Sequence, residues 1–330
     1  MKKITLEEAY AVPNAAQFTP QLNSLPEFPL CRPKLEDLAE MRLRAMDEGE
    51  IDLQVISPTS PSTQGIVEAD RQAEIATAWN EYIANAIEPH KKRLRAFAAL
   101  PTRDPDALIK ELTHAVKDLG MVGGMINGYD NAGGGEPVYY DAPQYLDFWK
   151  VAEELDVPVY LHPRVAPPGR VTTYGPYPEI ESAAWGFHIE TAEHVLRIIL
   201  SGMFDKAPNV KILIGHLGEL LPWWCWRIDH RFEMEGRRKQ MEDAGRPIKL
   251  TVTEYVRKLY CTTSGMFYTP GLLHTLSMMP PEHVLYSVDY PYESNAAANE
   301  WWKTVDLPQA TKEAIAYKNA EKLLKVKLEP

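Results

Sequence analysis

The sequence predicts an α/β protein built as a closed (β/α)8 TIM barrel. Eight short apolar segments alternate with longer amphipathic ones along 330 residues, a pattern typical of βαβ units around a parallel sheet. Four of the apolar segments end on a histidine or a carboxylate, as expected where barrel strands carry a catalytic centre at their carboxyl ends. The length fits one large α/β unit, so we expect a single domain over residues 1–330.

Each predicted strand is a short apolar run bounded by charged or turn-forming residues. A buried strand that ends abruptly on a carboxylate or a histidine indicates a functional side chain or a partner for it. The predicted strands are Lys3–Glu8, Leu53–Ser57, Leu94–Leu100, Val122–Asn127, Val157–His162, Val210–His216, Tyr260–Ser264 and His283–Asp289.

The predicted helices keep apolar residues on one face and have recognisable ends. Pro105 follows the acidic Asp104 at one start, and Gly120 follows the corresponding end. The predicted helices are Lys34–Glu48, Glu68–Glu88, Pro105–Leu119, Ala142–Leu155, Ser182–Ser201, Leu220–Glu242, Pro270–Met279, Asn295–Trp302 and Pro308–Leu324.

Two regions break the alternation. Residues 11–33 are rich in Pro, Asn and Gln and contain no clear element, and residues 163–181 contain five prolines and two glycines. These regions follow the first and the fifth strand, so both lie over the active face of a barrel. Long irregular loops of this kind usually serve as lids or binding walls.

Composition excludes several classes of function. The net charge of −11 argues against nucleic acid as a partner, because phosphates attract a basic face. No apolar run approaches the roughly 18 residues of a membrane span. Three cysteines without a CxxC spacing favour reduced thiols and a cytoplasmic location. Nucleotide-binding glycine motifs are absent from the sequence, and we expect no organic cofactor.

The ends of three strands supply the candidate active-site residues. Asp289 ends the eighth strand, where a carboxylate can bind a metal, transfer a proton, or do both. His162 and His216 end the fifth and sixth strands, so their rings are expected at the barrel mouth. Glu219 follows His216 closely enough to hydrogen-bond its ring and fix the tautomer, although it also suits a helix N-terminus. His188 has two readings, as a pocket residue or as part of the core.

The first strand ends on two consecutive glutamates, Glu7 and Glu8. Side chains alternate along a strand, so only one of the two points into the barrel. Alternation places Leu6 with Glu8 on one face and Glu7 with Ala9 on the other. Periodicity alone therefore leaves the choice between the two glutamates open.

Beyond these single positions, ordered motifs along nearly the whole chain resemble one family. The resemblance is to the metal-dependent non-oxidative aromatic acid decarboxylases of the amidohydrolase superfamily, which include 2,3-dihydroxybenzoate, γ-resorcylate and salicylate decarboxylases. The motifs include Leu6-Glu7-Glu8-Ala9, Tyr160-Leu161-His162-Pro163-Arg164, Gly215-His216-Leu217-Gly218-Glu219, Trp226-Arg227-Ile228-Asp229-His230 and Ser287-Val288-Asp289-Tyr290-Pro291.

The resemblance implies a barrel of the amidohydrolase type and a ligand set. The family's metal-binding glutamate, histidine and aspartate match Glu7, His162 and Asp289. The histidine that pairs with the aspartate matches His216, and the glutamate of the same motif matches Glu219. Glu7, rather than its neighbour, thus becomes the predicted ligand.

One position divides that family. Many members carry a histidine where this chain has Ala9, including the γ-resorcylate enzymes, whereas the 2,3-dihydroxybenzoate and salicylate enzymes resemble it in carrying alanine. Two oxygen ligands and one nitrogen ligand remain. Because this ligand set is richer in hard oxygen donors than a site with two histidines, it favours one Mg²⁺ or Mn²⁺ ion over Zn²⁺.

The resemblance implies the reversible, non-oxidative loss of CO2 from an ortho-hydroxybenzoic acid, with Asp289 as proton donor. The substrate would be a small aromatic carboxylate, and family members form homotetramers or homodimers. The residues expected around the substrate ring are Ala9, Tyr10, Phe18, Arg227 and Tyr292.

Two alternatives remain open from the sequence. The first is a metal-dependent hydrolase of a lactone or amide on the same fold. Against it, the first strand has no His-x-His pair and the fourth does not end on a lysine that could bridge two metals. The second is a non-catalytic binding barrel that has lost its metal. Against this one, Asp289, His162 and His216 are all retained.

Overall fold

Parallel strands form the centre of the molecule in a computed structural model that describes residues 1–24, 27–130, 136–167 and 174–329. Hydrogen-bonded ladders join β1 to β3 in one sheet and β4 to β9 in a second, and all pairs are parallel. The strands are β1 Ile4–Tyr10, β2 Leu53–Pro58, β3 Leu94–Ala96, β4 Ala98–Ala99, β5 Gly124–Asn127, β6 Pro158–His162, β7 Lys211–Ile214, β8 Tyr260–Thr262 and β9 Val284–Leu285.

The two sheets are continuous through Phe97, which separates β3 from β4. Its N–H donates to Ile56 O at 2.9 Å, and the next N–H, of Ala98, donates to Gly123 O at 2.9 Å. The chain therefore passes from one ladder to the other within a single segment. The predicted strand Leu94–Leu100 is thus present as two short strands.

The first and last strands meet along a seam that side chains largely close. Ala9 N–H donates to Tyr290 O at 2.7 Å. The hydroxyl of Ser287 accepts from the backbone N–H of Glu7 at 2.9 Å and donates to the carboxylate of Glu8 at 2.9 Å. This seam and the continuous chain at Phe97 bring the two sheets together in the manner of the (β/α)8 barrel that the sequence predicts, although the ladders themselves remain two sheets.

Helices cover the outside of the strands. No helix among the described residues is long and apolar enough to cross a membrane. The α-helices are Ala15–Phe18, Phe28–Glu36, Glu40–Glu48, Ala69–Ile87, Pro105–Lys117, Leu146–Leu155, Gly186–Leu200, Met203–Lys206, Leu221–Met234, Arg237–Asp243, Val252–Val256, Thr269–Met278, Asn295–Thr304, Gln309–Glu313 and Asn319–Leu324, with a π-helical turn at Ala314–Lys318.

Three predicted helices are interrupted. Lys34–Glu48 is divided after Glu36, and Leu220–Glu242 is divided at Gly236, whose φ of 62° lies in the left-handed region. The predicted helix Pro308–Leu324 contains the π-helical turn. Amphipathic periodicity continues across these breaks, so it identifies the buried face without locating the ends.

The first predicted loop is more ordered than expected. Within residues 11–33 lie the helix Ala15–Phe18, the 3-10 turn Pro20–Ser24 and the start of Phe28–Glu36. The prediction that this region lacks elements is therefore wrong. Its apolar residues Leu22 and Phe28 are buried, and this tertiary packing stabilises short elements that the polar composition conceals. Residues 25–26 and 168–173 of the two loops lie outside the described residues.

Candidate metal centre and active site

Three side chains from distant parts of the chain meet at the carboxyl ends of the strands. They are Glu7 of β1, His162 at the end of β6 and Asp289, four residues beyond β9. Their ligand atoms, a carboxylate oxygen or a ring nitrogen from each, all lie within 4.8 Å of one another. Parallel strands direct their carboxyl ends to the same rim, which brings these residues together.

Glu7 points into the barrel because β1 is irregular. Its pairing with β2 shifts register between Thr5 and Glu8, so strict alternation does not hold there. The Glu7 side chain is 1 % exposed. Its Oε2 accepts hydrogen bonds from the hydroxyls of Tyr160 and Thr262, the latter at 3.1 Å, whereas its Oε1 is buried without a hydrogen-bond partner.

His162 presents a bare ring nitrogen to Glu7. Its Nδ1 lies 2.8 Å from Pro163 O, a carbonyl that only accepts, so Nδ1 carries the proton. The other nitrogen, Nε2, lies 3.6 Å from Glu7 Oε1. Burial lowers the pKa of His162, although the Glu7 carboxylate opposes this shift. A neutral imidazole with a free Nε2 is the form that binds a metal ion.

Asp289 has an unusual backbone conformation and an altered acidity. Its φ of 84° lies in the left-handed region, and a cis peptide bond joins Tyr290 to Pro291 just beyond it. Burial raises the pKa of Asp289 to about 7, against the opposing effect of the nearby His216 ring. Asp289 Oδ2 lies 3.9 Å from Nε2 of His216. This carboxyl group is thus suited to carry a proton near neutral pH.

Behind Asp289, the Glu219 carboxylate holds two imidazole rings. Its Oε1 lies 2.7 Å from Nδ1 of His216, and its Oε2 lies 2.7 Å from Nδ1 of His188. Glu219 is fully buried, and the positive His216 ring holds its pKa at about 2 despite that burial. Burial lowers the pKa of His216, but the Glu219 and Glu7 carboxylates raise it well above its usual value.

A tight left-handed turn after β7 positions His216 and Glu219 relative to each other. Every residue from His216 to Leu220 has a positive φ, between 49° and 94°. The turn folds Glu219 back beneath the His216 ring, which explains a hydrogen bond between residues only three apart. Such a conformation is strained for residues other than glycine and is typical of functional sites. The predicted contact between Glu219 and His216 is present.

A cavity of about 210 Å³ opens beside these groups. The hydroxyls of Thr59 and Tyr292 form a hydrogen bond of 2.6 Å on its wall. Ala9 and Tyr292, both predicted to contact a substrate ring, line this cavity. The other residues that line it are Glu7, Glu27, Ser57, Pro58, Thr59, Ser60, His162, Pro163, Ser182, Ala183, Phe187, His188, His216, Asp289 and Glu293.

Three residues predicted to contact the substrate ring do not line this cavity. Tyr10 alternates away from Ala9 and is buried in the core, where it borders a separate small cavity. Phe18 packs edge-on against Trp79, with ring centroids 6.4 Å apart. Arg227 is exposed on the helix Leu221–Met234. The structure of the single chain therefore places these three residues away from the cavity, and their contact with a substrate stays a prediction.

Sequence reasoning also missed several residues that the structure places at the site. Tyr160 lies two positions before His162 on β6 and so faces the same way, a signal that strand alternation offered. Thr262 is the last residue of β8, at the same end of the barrel as the other strand-end residues. Phe187 starts the helix Gly186–Leu200 beside His188, for which the sequence had left a pocket position and core packing equally open; the structure places both residues at the cavity.

The described residues fit a divalent cation. A buried carboxylate oxygen without a donor, Glu7 Oε1, faces a bare ring nitrogen of His162, and a second carboxylate, Asp289, lies alongside. Buried groups of this kind are costly without a partner, and a cation would satisfy all three. The second cluster of potential ligands, His188, His216 and Glu219, is already joined by hydrogen bonds.

The fold and the site together define a barrel of the metal-dependent enzyme class. The chain belongs to the amidohydrolase family, whose model, described as "Amidohydrolase", matches residues 27–326. The chain is 36 % identical to the γ-resorcylate decarboxylase of Polaromonas sp. strain JS666, over 98 % of each sequence.

Solved structures agree with this assignment. A dihydroxybenzoic acid decarboxylase from Polaromonas sp. JS666, with bound manganese and the inhibitor 2-nitroresorcinol, aligns with a TM-score of 0.92 and 35 % identity over 98 % of this chain and 97 % of that one. A 5-carboxyvanillate decarboxylase from Sphingomonas paucimobilis aligns with a TM-score of 0.88 and 27 % identity over 99 % of both chains. These likenesses confirm the predicted family and fold class.

Proposed function

We propose that this protein is a carboxy-lyase that removes CO2, reversibly and without oxidation, from an ortho-hydroxybenzoic acid with the help of one divalent metal ion. The observation that carries the proposal is the meeting of ligand atoms from Glu7, His162 and Asp289 within 4.8 Å of one another. The relatives support the reaction class, since the three compared with this chain are named as decarboxylases of substituted hydroxybenzoates. A hydrolytic reaction has no comparable support.

The proposed metal ligands are Glu7, His162 and Asp289. Two carboxylates and one imidazole form a donor set that suits Mn²⁺ or Mg²⁺, and the Polaromonas structure contains manganese. When bound, the ion supplies positive charge that anchors the substrate carboxylate and the neighbouring phenolic oxygen. The site itself is rich in carboxylates, so an anionic substrate depends on that charge.

Asp289 is the proposed proton donor. Burial raises its pKa to about 7, so this carboxyl group takes up a proton more readily than an exposed aspartate, and the His216 ring lies 3.9 Å away. The proton is transferred to the ring carbon that bears the carboxylate, and a new C–H bond forms. The C–C bond then breaks, its electron pair restores the aromatic ring, and CO2 leaves. An ortho oxygen is required because its electrons make that carbon basic.

The shape of the cavity supports a flat aromatic substrate. Phe187, Pro58 and Pro163 provide apolar walls, and the hydroxyl pair of Thr59 and Tyr292 provides a polar edge. A ring with a carboxylate near Asp289 would thus have hydrogen-bonding groups available to a further hydroxyl. Substrates of the 2,6-dihydroxybenzoate, 2,3-dihydroxybenzoate or salicylate type share these features.

A substrate panel tests the proposal directly. Manganese-loaded protein is incubated with 2,6-dihydroxybenzoate, 2,3-dihydroxybenzoate and salicylate, and phenol formation is followed by chromatography. We expect turnover of at least one of these acids and none of benzoate or 3-hydroxybenzoate, which lack the ortho hydroxyl. Turnover of lactones or amides in place of these acids would refute the proposal.

The proton-donor role has its own test. Asp289→Asn keeps one oxygen for the metal but removes the acidic proton, so CO2 release is expected to stop while manganese content stays near one ion per chain. The matched control is Asp118→Asn, which changes an exposed carboxylate paired with His114. Retained turnover in Asp289→Asn would assign Asp289 to metal binding alone.

We further propose a homo-oligomer in the cytoplasm. Trp223, Trp224 and Trp226 are 62 %, 56 % and 67 % exposed on one helix, an apolar surface of the kind that usually contacts another chain. The free thiols of Cys31, Cys225 and Cys261 suit a reducing compartment. Sedimentation equilibrium of wild type and Trp224→Ser tests the assembly, with a smaller particle expected for the variant.

A further inference from the structure

The carboxylate of Glu7 receives two hydroxyl groups on one oxygen and none on the other. We propose that Tyr160 and Thr262 are positioning residues which fix Glu7 so that it offers a single oxygen to a divalent cation. A carboxylate restricted in this way favours small octahedral ions such as Mn²⁺ and Mg²⁺ over Ca²⁺, which accepts two oxygens from one carboxylate. This inference rests on the metal site of the proposed function.

Tyr160 can act only as a donor to Glu7. Its side chain is fully buried on β6, and its hydroxyl contacts Glu7 Oε2. A phenol keeps its proton near neutral pH and an ionised carboxylate only accepts, so the hydrogen-bond direction is determined.

Thr262 supplies the second donor from β8. Its Oγ1 lies 3.1 Å from Glu7 Oε2 and accepts the backbone N–H of Ser264 at 3.4 Å. The same atom lies 3.1 Å from the Tyr160 hydroxyl, whose proton points to Glu7. The single Thr262 proton is thus directed to the carboxylate. Both donors converge on Oε2 and leave Oε1 unpaired.

Packing from β7 keeps the carboxylate in this orientation. A side chain at Gly215 would place its Cβ 2.8 Å from both Oε1 and Oε2 of Glu7, closer than ordinary contact allows. The backbone at Gly215 therefore forms a close wall against the carboxylate group. Residues on β6 and β8 and the residue just after β7 thus enclose the Glu7 carboxylate, and the free Oε1 faces His162 Nε2 at 3.6 Å.

Removal of either donor should loosen the carboxylate. Without the Tyr160 hydroxyl, Oε2 loses one of its two partners and becomes available to a cation. The carboxylate can then turn or bind through both oxygens. Affinity for Mn²⁺ should fall, as usually happens when a group that orients a metal ligand is lost, while discrimination against Ca²⁺ should narrow.

Titration calorimetry on metal-free protein tests this directly. Mn²⁺, Mg²⁺ and Ca²⁺ chlorides are titrated separately into wild type, Tyr160→Phe and Tyr286→Phe. The control removes an equally buried phenol hydroxyl that has no hydrogen-bond partner. We expect Tyr160→Phe to weaken Mn²⁺ binding by roughly 10- to 100-fold and to lower the Mn²⁺ over Ca²⁺ preference at least ~5-fold. The control should match wild type.

A second pair of variants covers the case in which Tyr160→Phe does not fold. Thr262→Val removes the other donor at constant shape, and Thr262→Ser keeps it. Thr262→Val should weaken Mn²⁺ binding and lower the preference for Mn²⁺ over Ca²⁺. Thr262→Ser should keep both at the wild-type level. If wild type binds Mn²⁺ and the Phe and Val variants bind all three ions with unchanged preference, the positioning role is wrong while the proposed function stands. If wild type binds no divalent ion, the proposed function itself fails.

Discussion

Two neighbouring glutamates on β1 have opposite environments. Glu8, at the seam of the barrel, accepts hydrogen bonds from the Ser287 hydroxyl and from the backbone N–H groups of Val288 and Tyr290, at 2.9 to 3.1 Å. Glu7, in the barrel interior, retains one buried oxygen without a donor. Both side chains are at most 1 % exposed, so burial does not distinguish them. The two glutamates differ in how many of their carboxylate oxygens accept hydrogen bonds: both oxygens of Glu8 do, but only one of Glu7 does.

The contrast separates a structural carboxylate from a functional one. A buried carboxylate surrounded by donors stabilises the fold, because each acceptor position is satisfied. A buried carboxylate with an unsatisfied oxygen lowers stability unless something else binds there. Glu8 thus joins the first strand to the last, while Glu7 keeps its binding capacity for a ligand.

The largest expected effect is that of Glu7→Gln. The amide oxygen still accepts from Tyr160 and Thr262, so the fold should persist, but the negative charge is lost. Bound metal contributes several kcal/mol to such reactions, which corresponds to a loss of activity of roughly 10³-fold. Manganese content by atomic emission and decarboxylation rates should both fall, with an unchanged circular dichroism spectrum. Full manganese occupancy in this variant would remove Glu7 from the ligand set.

The matched change at the seam, Glu8→Gln, should have the reverse outcome. Its amide N–H2 would face hydroxyl and N–H donors, and a buried donor would be left without an acceptor. We expect the free energy of unfolding to fall by about 3 kcal/mol in urea titrations. Manganese bound per folded chain should stay near the wild-type value. Unchanged stability would contradict the structural role of Glu8.

Two buried ionisable groups outside the site, His194 and Glu190, extend the comparison to the pH dependence of stability. Burial lowers the pKa of His194 to about 3 and raises the pKa of Glu190 to about 8. Between pH 6.5 and 3 the unfolded chain protonates this histidine while the folded chain does not, so stability falls as pH falls. Glu190 acts oppositely, because its proton is lost as pH rises through its folded pKa.

His194→Phe isolates the histidine contribution. Phenylalanine retains a ring beside Tyr139 and Tyr140, which lie 5.0 and 5.3 Å from the His194 ring. Lowering the pH from 6.5 to 5 should remove about 2 kcal/mol less stability from the variant than from wild type. Urea unfolding at both pH values measures the difference. Parallel losses in the two proteins would show that His194 is protonated in the fold.

The smallest effect is expected from Tyr10→Phe. Tyr10 follows Ala9 on the strand but points into the core, where its hydroxyl is buried without a hydrogen-bond partner. Removal of that hydroxyl should raise the free energy of unfolding by about 1 kcal/mol and leave substrate KM unchanged. A raised KM would return Tyr10 to the substrate pocket.

Much of the fold could be predicted from local pattern. The eight apolar runs were recognisable because buried parallel strands leave continuous hydrophobic segments. Their ends were less predictable, and the run His283–Asp289 pairs as a strand only over Val284–Leu285. The order within residues 11–33 was not predictable, since Leu22 and Phe28 are held by contacts with residues distant in the sequence.

The candidate site was predictable in part. His162, His216 and Asp289 were recognisable because each ends an apolar run, and parallel strands bring such ends to one rim. The ring contacts expected of Phe18 and Arg227 stay predictions, and the single chain places both side chains away from the cavity, since the direction of a loop or helix side chain depends on packing. Alternation on β6 placed Tyr160 on the same face as His162, but neither it nor Thr262 could be told from a core residue, because a buried hydroxyl is as common in a core as in a site.

By itself, the sequence determined which ligand types this protein possesses and in which order its strands present them, because periodicity and strand ends are local properties. Periodicity left the choice between Glu7 and Glu8 open, and only the tertiary structure gave the physical reason for Glu7, which the family resemblance implied. That choice depends on a register shift in β1 and on hydroxyls from β6 and β8, more than 150 residues away along the chain. Contacts between strands so far apart determine which carboxylate is saturated and which retains a free oxygen.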